Sequence, residues 1–194
     1  MSDAISRKVK WGRLKALLIA SIFLVPLVAA YVVFYWFRPH SFDNHGELLP
    51  PKPLQNASAK LENGTSFSVD TLKGKWVLIM SAPASCDKEC RYALYAMRQV
   101  RISENLDRNR IERVWLVTGH SRPDFQLERY FTGTWEVADP DKEISSQLPI
   151  PSGQEAIIFI MDPRGNVMMR YGPHPAMGDI ASDLHRLLEA SSIG

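Results

Sequence analysis

The stretch that decides the fold is Trp76-Val77-Leu78-Ile79-Met80, the loop Ser81-Ala82-Pro83-Ala84-Ser85, and Cys86-Asp87-Lys88-Glu89-Cys90. The first five residues are apolar and read as a buried strand. After the cysteines, Tyr92, Leu94, Tyr95, Met97, Val100, Ile102 and Leu106 recur at intervals of three and four, which predicts an amphipathic helix. The two cysteines are the only ones in 194 residues. One therefore ends the loop after a strand, and the other stands one turn into the next helix.

That placement has chemical consequences. Unsatisfied N–H groups and the positive end of the helix dipole stabilise a thiolate at Cys86. Lys88 and Arg91 add to the effect, and Asp87 and Glu89 oppose it. The spacing puts the sulfurs at i and i+4 if both residues are helical. Such a pair closes to a disulfide with local adjustment, or presents two thiolates to a soft ion such as Cu(I). A structural bridge usually closes a long loop; this one would close about five residues and stabilise little, which favours chemistry.

Working outward, Ala57 to Leu61 and Thr65 to Val69 flank Asn63-Gly64, the signature of a two-residue type I′ hairpin. A strand is expected at Arg113 to Thr118, a helix at Asp124 to Tyr130, a short strand at Trp135 to Ala138 and a short helix at Asp141 to Leu148. Ala156 to Met161, the turn Asp162-Pro163-Arg164-Gly165-Asn166, and Val167 to Tyr171 form a hairpin. Gly178 to Ala190 closes the chain as a helix with Ile180, Leu184, Leu187 and Leu188 on its apolar face. Strand, helix, strand, helix, antiparallel hairpin and helix is the thioredoxin-like α/β order, a mixed sheet flanked by helices, here with an extra N-terminal hairpin.

Before this domain, residues 16–37 are uncharged and apolar, and roughly 20 such residues cross a bilayer core. A cleaved signal peptide has a shorter apolar core and a small-residue cleavage site. This run instead ends in Tyr31, Phe34, Tyr35, Trp36 and Phe37, an aromatic cluster suited to a membrane interface. An uncleaved anchor is expected, with Pro26 inside it. Residues 1–15 carry Arg7, Lys8, Lys10, Arg13 and Lys15 against Asp3, so this basic tail stays in the cytoplasm and the following domain is exported. The formal charge of +2 divides into +5 for residues 1–38 (six Lys/Arg, one Asp) and −3 for the rest (17 Lys/Arg, 20 Asp/Glu). A slightly acidic domain gives no ground for nucleic-acid binding. Residues 38–56, with Pro39, Pro50, Pro51 and Pro53, read as an extended linker that holds domain 57–194 off the membrane. His40 and His45 lie in it and read as solvated.

With strand, CxxxC, the Asp162-Pro163-Arg164-Gly165 turn, Tyr171-Gly172 and the last helix in place, residues 57–190 resemble the Sco/SenC family of membrane-anchored, thioredoxin-like proteins that assist cytochrome oxidase assembly. The resemblance implies an inner-membrane protein with a periplasmic domain, no organic cofactor, and copper delivery or thiol reduction at the copper site of an oxidase subunit. The two family cysteines map onto Cys86 and Cys90. The family histidine does not map: Gln154 in Ser152-Gly153-Gln154-Glu155 takes its slot, and an amide is a poor copper ligand. His174, just before the last helix with Met177 as a further soft donor, is the candidate third ligand or proton carrier; His120, after the strand ending at Thr118, is a second candidate. His185 reads as exposed. Met161, Met168, Met169 and Met177 suggest a copper relay, but adjacent Met168 and Met169 point to opposite faces of a strand, so core filling is the better reading of at least one. Cys86 is expected to be the more exposed nucleophile and Cys90 the resolving thiol or second ligand. A general exported thiol-disulfide oxidoreductase and a non-catalytic scaffold are the alternatives.

Overall fold

The computed structural model describes residues 2–36, 44–55 and 59–193, with side chains of the first segment described at Trp11, Lys15, 18–33 and Tyr35. Two compact units result, Met1–Asp43 and Asn44–Gly194. In the first, α1 (Ser2–Trp36) is a single helix containing Pro26. Ile22, Phe23, Leu27 and Tyr31 are all exposed, and none of its described side chains is buried. Among the described residues no helix is long and apolar enough to cross a membrane. His40 lies outside the described residues.

Among the described residues the second unit has the strands β1 (Glu47–Pro53), β2 (Ala59–Leu61), β3 (Ser66–Phe67), β4 (Trp76–Pro83), β5 (Ile111–Thr118), β6 (Trp135–Asp139), β7 (Ile158–Met161) and β8 (Asn166–Arg170). They form one mixed sheet in the order β1-β8-β7-β4-β5-β6-β2-β3. Helices α2 (Lys88–Ser103), α3 (Phe125–Tyr130) and α4 (Met177–Ala190) complete it. β4, β5 and β6 run parallel, from Trp76 opposite Ile111 to Pro83 opposite Thr118, and β7 and β8 return antiparallel. Because β4 has both faces covered, seven of its eight residues are buried, and its pattern is continuous, not alternating. Leu78, Met80, Trp115 and Ile160 form one core with Leu94 and Met97 of α2 and Ile180 and Leu184 of α4. Val77, Ile79, Val114 and Phe159 form the core on the opposite face. Met169 and Met161 are core residues.

Three expectations need correction. The linker over 38–56 is not free throughout: β1 pairs with β8 at the sheet edge, with a register shift between Leu48 and Lys52 that spans Pro50 and Pro51. Proline is tolerated there because an edge strand leaves one row of backbone groups outside the ladder. The Asn63-Gly64 hairpin is present but not type I′. Gly64 alone is left-handed (φ +86°), its N–H returns to Leu61 O, and Leu61 N–H donates to Thr65 O, so the loop has three residues, a type I turn closed by glycine. Asp141 to Leu148 shortens to one 3-10 turn at Ser145–Gln147, where the buried Asp139 carboxylate accepts the Ile144 and Ser145 N–H groups.

Candidate functional site: the Cys86–Cys90 pair and its cleft

β4 ends at Pro83, and the Pro83 carbonyl accepts the Cys86 N–H at 3.0 Å. That turn folds the chain back so that Cys86 takes φ +33° and Asp87 becomes the N-cap of α2. The Asp87 carboxylate accepts the Cys90 N–H at 2.9 Å, and Arg91 Nε donates to the Cys86 carbonyl at 3.1 Å. Cys86 thus precedes the helix and Cys90 lies in its first turn, so only one of the pair is helical. Their sulfurs are joined in a disulfide, with Cα atoms 5.1 Å apart. Both residues are 1% exposed, which corrects the expectation that Cys86 is the more exposed.

Beside the pair lies a cleft of about 370 Å³ lined by Asp87, Glu89, Tyr92, Gln154, Glu155 and His174. The parallel strands bring these together: α2 starts where β4 ends, and the loops before β7 and before α4 reach the same rim. His174 Nε2 is paired with Glu89 Oε2. Its ring lies 5.2 Å from the Tyr92 ring centroid, and Tyr92 Oη donates to Pro175 O at 2.7 Å. His174 adopts φ +55°, a left-handed backbone that costs a non-glycine residue about 1 kcal/mol or more. The loop is held by those contacts. His120 is exposed beyond β5 with Gly119 at φ +82°. Met177 is half-buried at the start of α4.

A copper ion would need thiolates and a third donor. Here both sulfurs are bonded to each other, Gln154 offers an amide, and His174 is engaged by a carboxylate. Among the described residues no group of three or more His, Cys, Asp or Glu is arranged to hold a metal ion. The oxidised arrangement does not fit copper; reduction would free two sulfur donors.

His45 is exposed, as the linker reading expected, yet it is tied to the domain. Its N–H and that of Gly46 donate to Asp183 at 3.0 and 2.9 Å, and its Nδ1 lies 3.3 Å from Asp183 Oδ1. Tyr171 Oη also donates to Asp183 at 3.0 Å. Burial pushes the Asp183 carboxyl up, but the Gly46 and His45 N–H groups and the two side-chain hydrogen bonds win and hold it below the usual range. Tyr171 is pushed up by burial and by Asp183. His185 is exposed as expected, yet its Nδ1 is 3.0 Å from Glu104, whose carboxylate raises the imidazole pKa.

Residues 76–191 match the family described as transmembrane-like, thioredoxin-like, C-terminal domain. No curated protein sequence matches the chain. Among solved structures, apo Sco1 of Thermus thermophilus is 16% identical and covers 77% of this chain and 99% of its own, with a TM-score of 0.59. Copper-bound ScoI of Bradyrhizobium japonicum is 17% identical over 70% and 99%, with a TM-score of 0.52. The thioredoxin domain of a thiol-disulfide oxidoreductase of Bacteroides vulgatus is 16% identical over 73% and 99%, with a TM-score of 0.56. At these identities the likeness shows the thioredoxin-like fold.

Proposed function

The chain belongs to the transmembrane-like, thioredoxin-like family, and from that premise we propose that it is a membrane-tethered dithiol protein that reduces the copper-site cysteines of a respiratory oxidase subunit during assembly. The observation that carries the reading is the Cys86–Cys90 disulfide at the carboxyl end of β4 and the start of α2. Its five-residue ring does little for stability, so its use is chemical.

In the proposed reaction the reduced protein's Cys86 thiolate attacks one sulfur of a client disulfide. The bond between the client sulfurs breaks, the departing sulfur leaves as a thiolate, and a mixed disulfide forms. Cys90, deprotonated, then attacks Cys86 Sγ, releasing the client's second thiolate and regenerating the Cys86–Cys90 bond. Two electrons pass from protein to client, and an exported dithiol reductant must restore them. Cys86 serves as nucleophile because it stands outside the helix, while Cys90 is fixed by the Asp87 cap.

The anchor and the location belong to the same reading. The apolar side chains exposed around α1 and the basic residues preceding them support an inner-membrane span with the domain on the periplasmic side. Such an arrangement would confine the dithiol near a membrane-embedded client. A second use, carrying Cu(I) as cargo, is favoured by the CxxxC spacing of two soft donors and disfavoured by Gln154 and by the Glu89–His174 pair.

The test uses the full chain in lipid nanodiscs. Reduced protein should convert an oxidised copper-site subunit to its dithiol, and Cys90→Ser should accumulate the mixed disulfide. No exchange would reject the reading. Anaerobic Cu(I) titration of the reduced chain against a chelator, with Cys86→Ser, Cys90→Ser and His174→Ala alongside, separates the two uses. Tight one-to-one binding lost in either serine variant would establish copper carrying, and further loss in the histidine variant would identify the third ligand.

A further inference from the structure

Away from the disulfide, a cavity of about 720 Å³ opens between β5, β6, α3 and the β2–β3 turn. Its lining carries Arg101, Arg113 and Arg122. Arg113 occupies an inward register of β5, between Ile111 and Trp115, and is 3% exposed. Its Nη2 donates to Thr132 O at 3.0 Å, while Nε and Nη1 have no hydrogen-bond partner among the described residues; nor has the buried Thr134 Oγ1 beside it. Burial, then Arg101 and Arg98 of α2, pull the guanidinium down to about 10 against the opposing pull of Glu112. A buried cation with two idle donor atoms is unfavourable unless something accepts from it.

The lining also carries Glu62, Glu112, Glu128 of α3 and Glu136 of β6, with exposed Arg122 3.8 Å from Glu62. Burial, then Glu128 and Glu62, push Glu136 up to about 7. Among the described residues no salt bridge joins Arg113 to Glu136. Glu136 is registered opposite Trp115, two residues along from Arg113 and on the same face. The spacing of a sheet then places the two Cα atoms about 8 Å apart along a diagonal. Unlike charges that line one cavity without pairing are complementary to a molecule that carries both.

We propose that this cavity binds a small zwitterion of the amino-acid or short-peptide class, its carboxylate on Arg113 and its ammonium on Glu136, Glu128 and Glu62. Binding turns the idle Nε and Nη1 donors of Arg113 toward the carboxylate, and the ammonium relieves the mutual repulsion of the carboxylates. The site is independent of the dithiol and of the function proposed for it.

Isothermal titration calorimetry of the full chain with diglycine tests this, with N-acetyl-diglycine and diglycine amide as probes that each lack one charge. Saturable one-to-one binding is expected for diglycine, weakened at least about tenfold by blocking either end. Arg113→Gln should abolish it. Because that change strikes a core register, Glu136→Gln, at a half-buried position, is the second variant, and it should weaken diglycine about tenfold. No saturable heat with wild-type protein up to about 10 mM diglycine, equal affinity for a blocked probe, or undiminished binding by a folded Glu136→Gln protein would each overturn the proposal.

Discussion

Asp87 accepts the Cys90 backbone N–H at 2.9 Å, so the helix end that would stabilise a thiolate at the cysteine pair already holds a carboxylate. The fold keeps its helix cap at the expense of thiolate character. Asp87→Asn retains a capping oxygen and removes the charge, and should raise the thiolate fraction of the reduced protein at neutral pH by roughly threefold, read from absorbance near 240 nm. Asp87→Ala should add a loss of about 1 kcal/mol in stability from the vacated cap. An unchanged thiolate fraction in the asparagine variant would show that the sulfurs do not sense the charge.

Gly46 approaches the core too closely for any side chain. A Cβ there would stand 2.7 Å from Met169 Cγ and Sδ and 2.8 Å from Tyr171 Cε1, and both side chains are buried. Gly46→Ala should cost about 1–3 kcal/mol through overpacking. Urea denaturation of the variant would check this, and wild-type stability would mean that the backbone there yields freely.

The ease of reading β4, β7, β8 and the cysteine turn has a local cause. Trp76 to Met80 is apolar without a break, and Asp162 signals its turn through its own chemistry, accepting from Arg164 N–H at 2.9 Å and Asn166 N–H at 2.8 Å. His174 was legible as a rim residue because it precedes α4; its pairing with Glu89 was not, since nothing in either segment marks the other. β1 was hidden by its prolines, which look like a tether and are also compatible with a sheet edge. Its docking depends on Asp183, 137 residues from Gly46. A signal did exist: Asp183 shares the apolar helical face of Ile180 and Leu184, and Arg113 sits in the inward alternation of Ile111, Trp115 and Val117. A charge in an inward register marks a buried polar site before its partners can be named.

Asp183 should make the domain acid-sensitive. Its folded carboxyl is held below the unfolded value, so the stability it contributes is present above the unfolded pKa of about 3.9 and is lost as pH falls through the folded value. Asp183→Asn keeps the shape but accepts poorly from His45, Gly46 and Tyr171 together. A loss of about 2–3 kcal/mol at pH 7 is expected, shrinking toward zero in strong acid. Chemical denaturation of both proteins from neutral to acid pH reads the difference, and a constant gap would show that the carboxylate's charge is not what holds the β1 end of the sheet to α4.

Glu136 should act with the opposite sign. Burial, Glu128 and Glu62 push its folded pKa up to about 7, above the unfolded value of about 4.3. The folded state therefore binds the proton more tightly, and stability falls as pH rises between those two values. Glu136→Gln substitutes a permanently neutral group of the same shape. It should match wild-type stability near pH 4 and exceed it by on the order of 1 kcal/mol at pH 8. Thermal unfolding of the two proteins in ligand-free buffer at both pH values gives the comparison. Stabilisation at pH 8 that disappears when Glu128→Gln is combined with it, relative to Glu128→Gln alone, would trace the penalty to the repulsion between these two carboxylates; stabilisation that survives would trace it to burial of Glu136 itself.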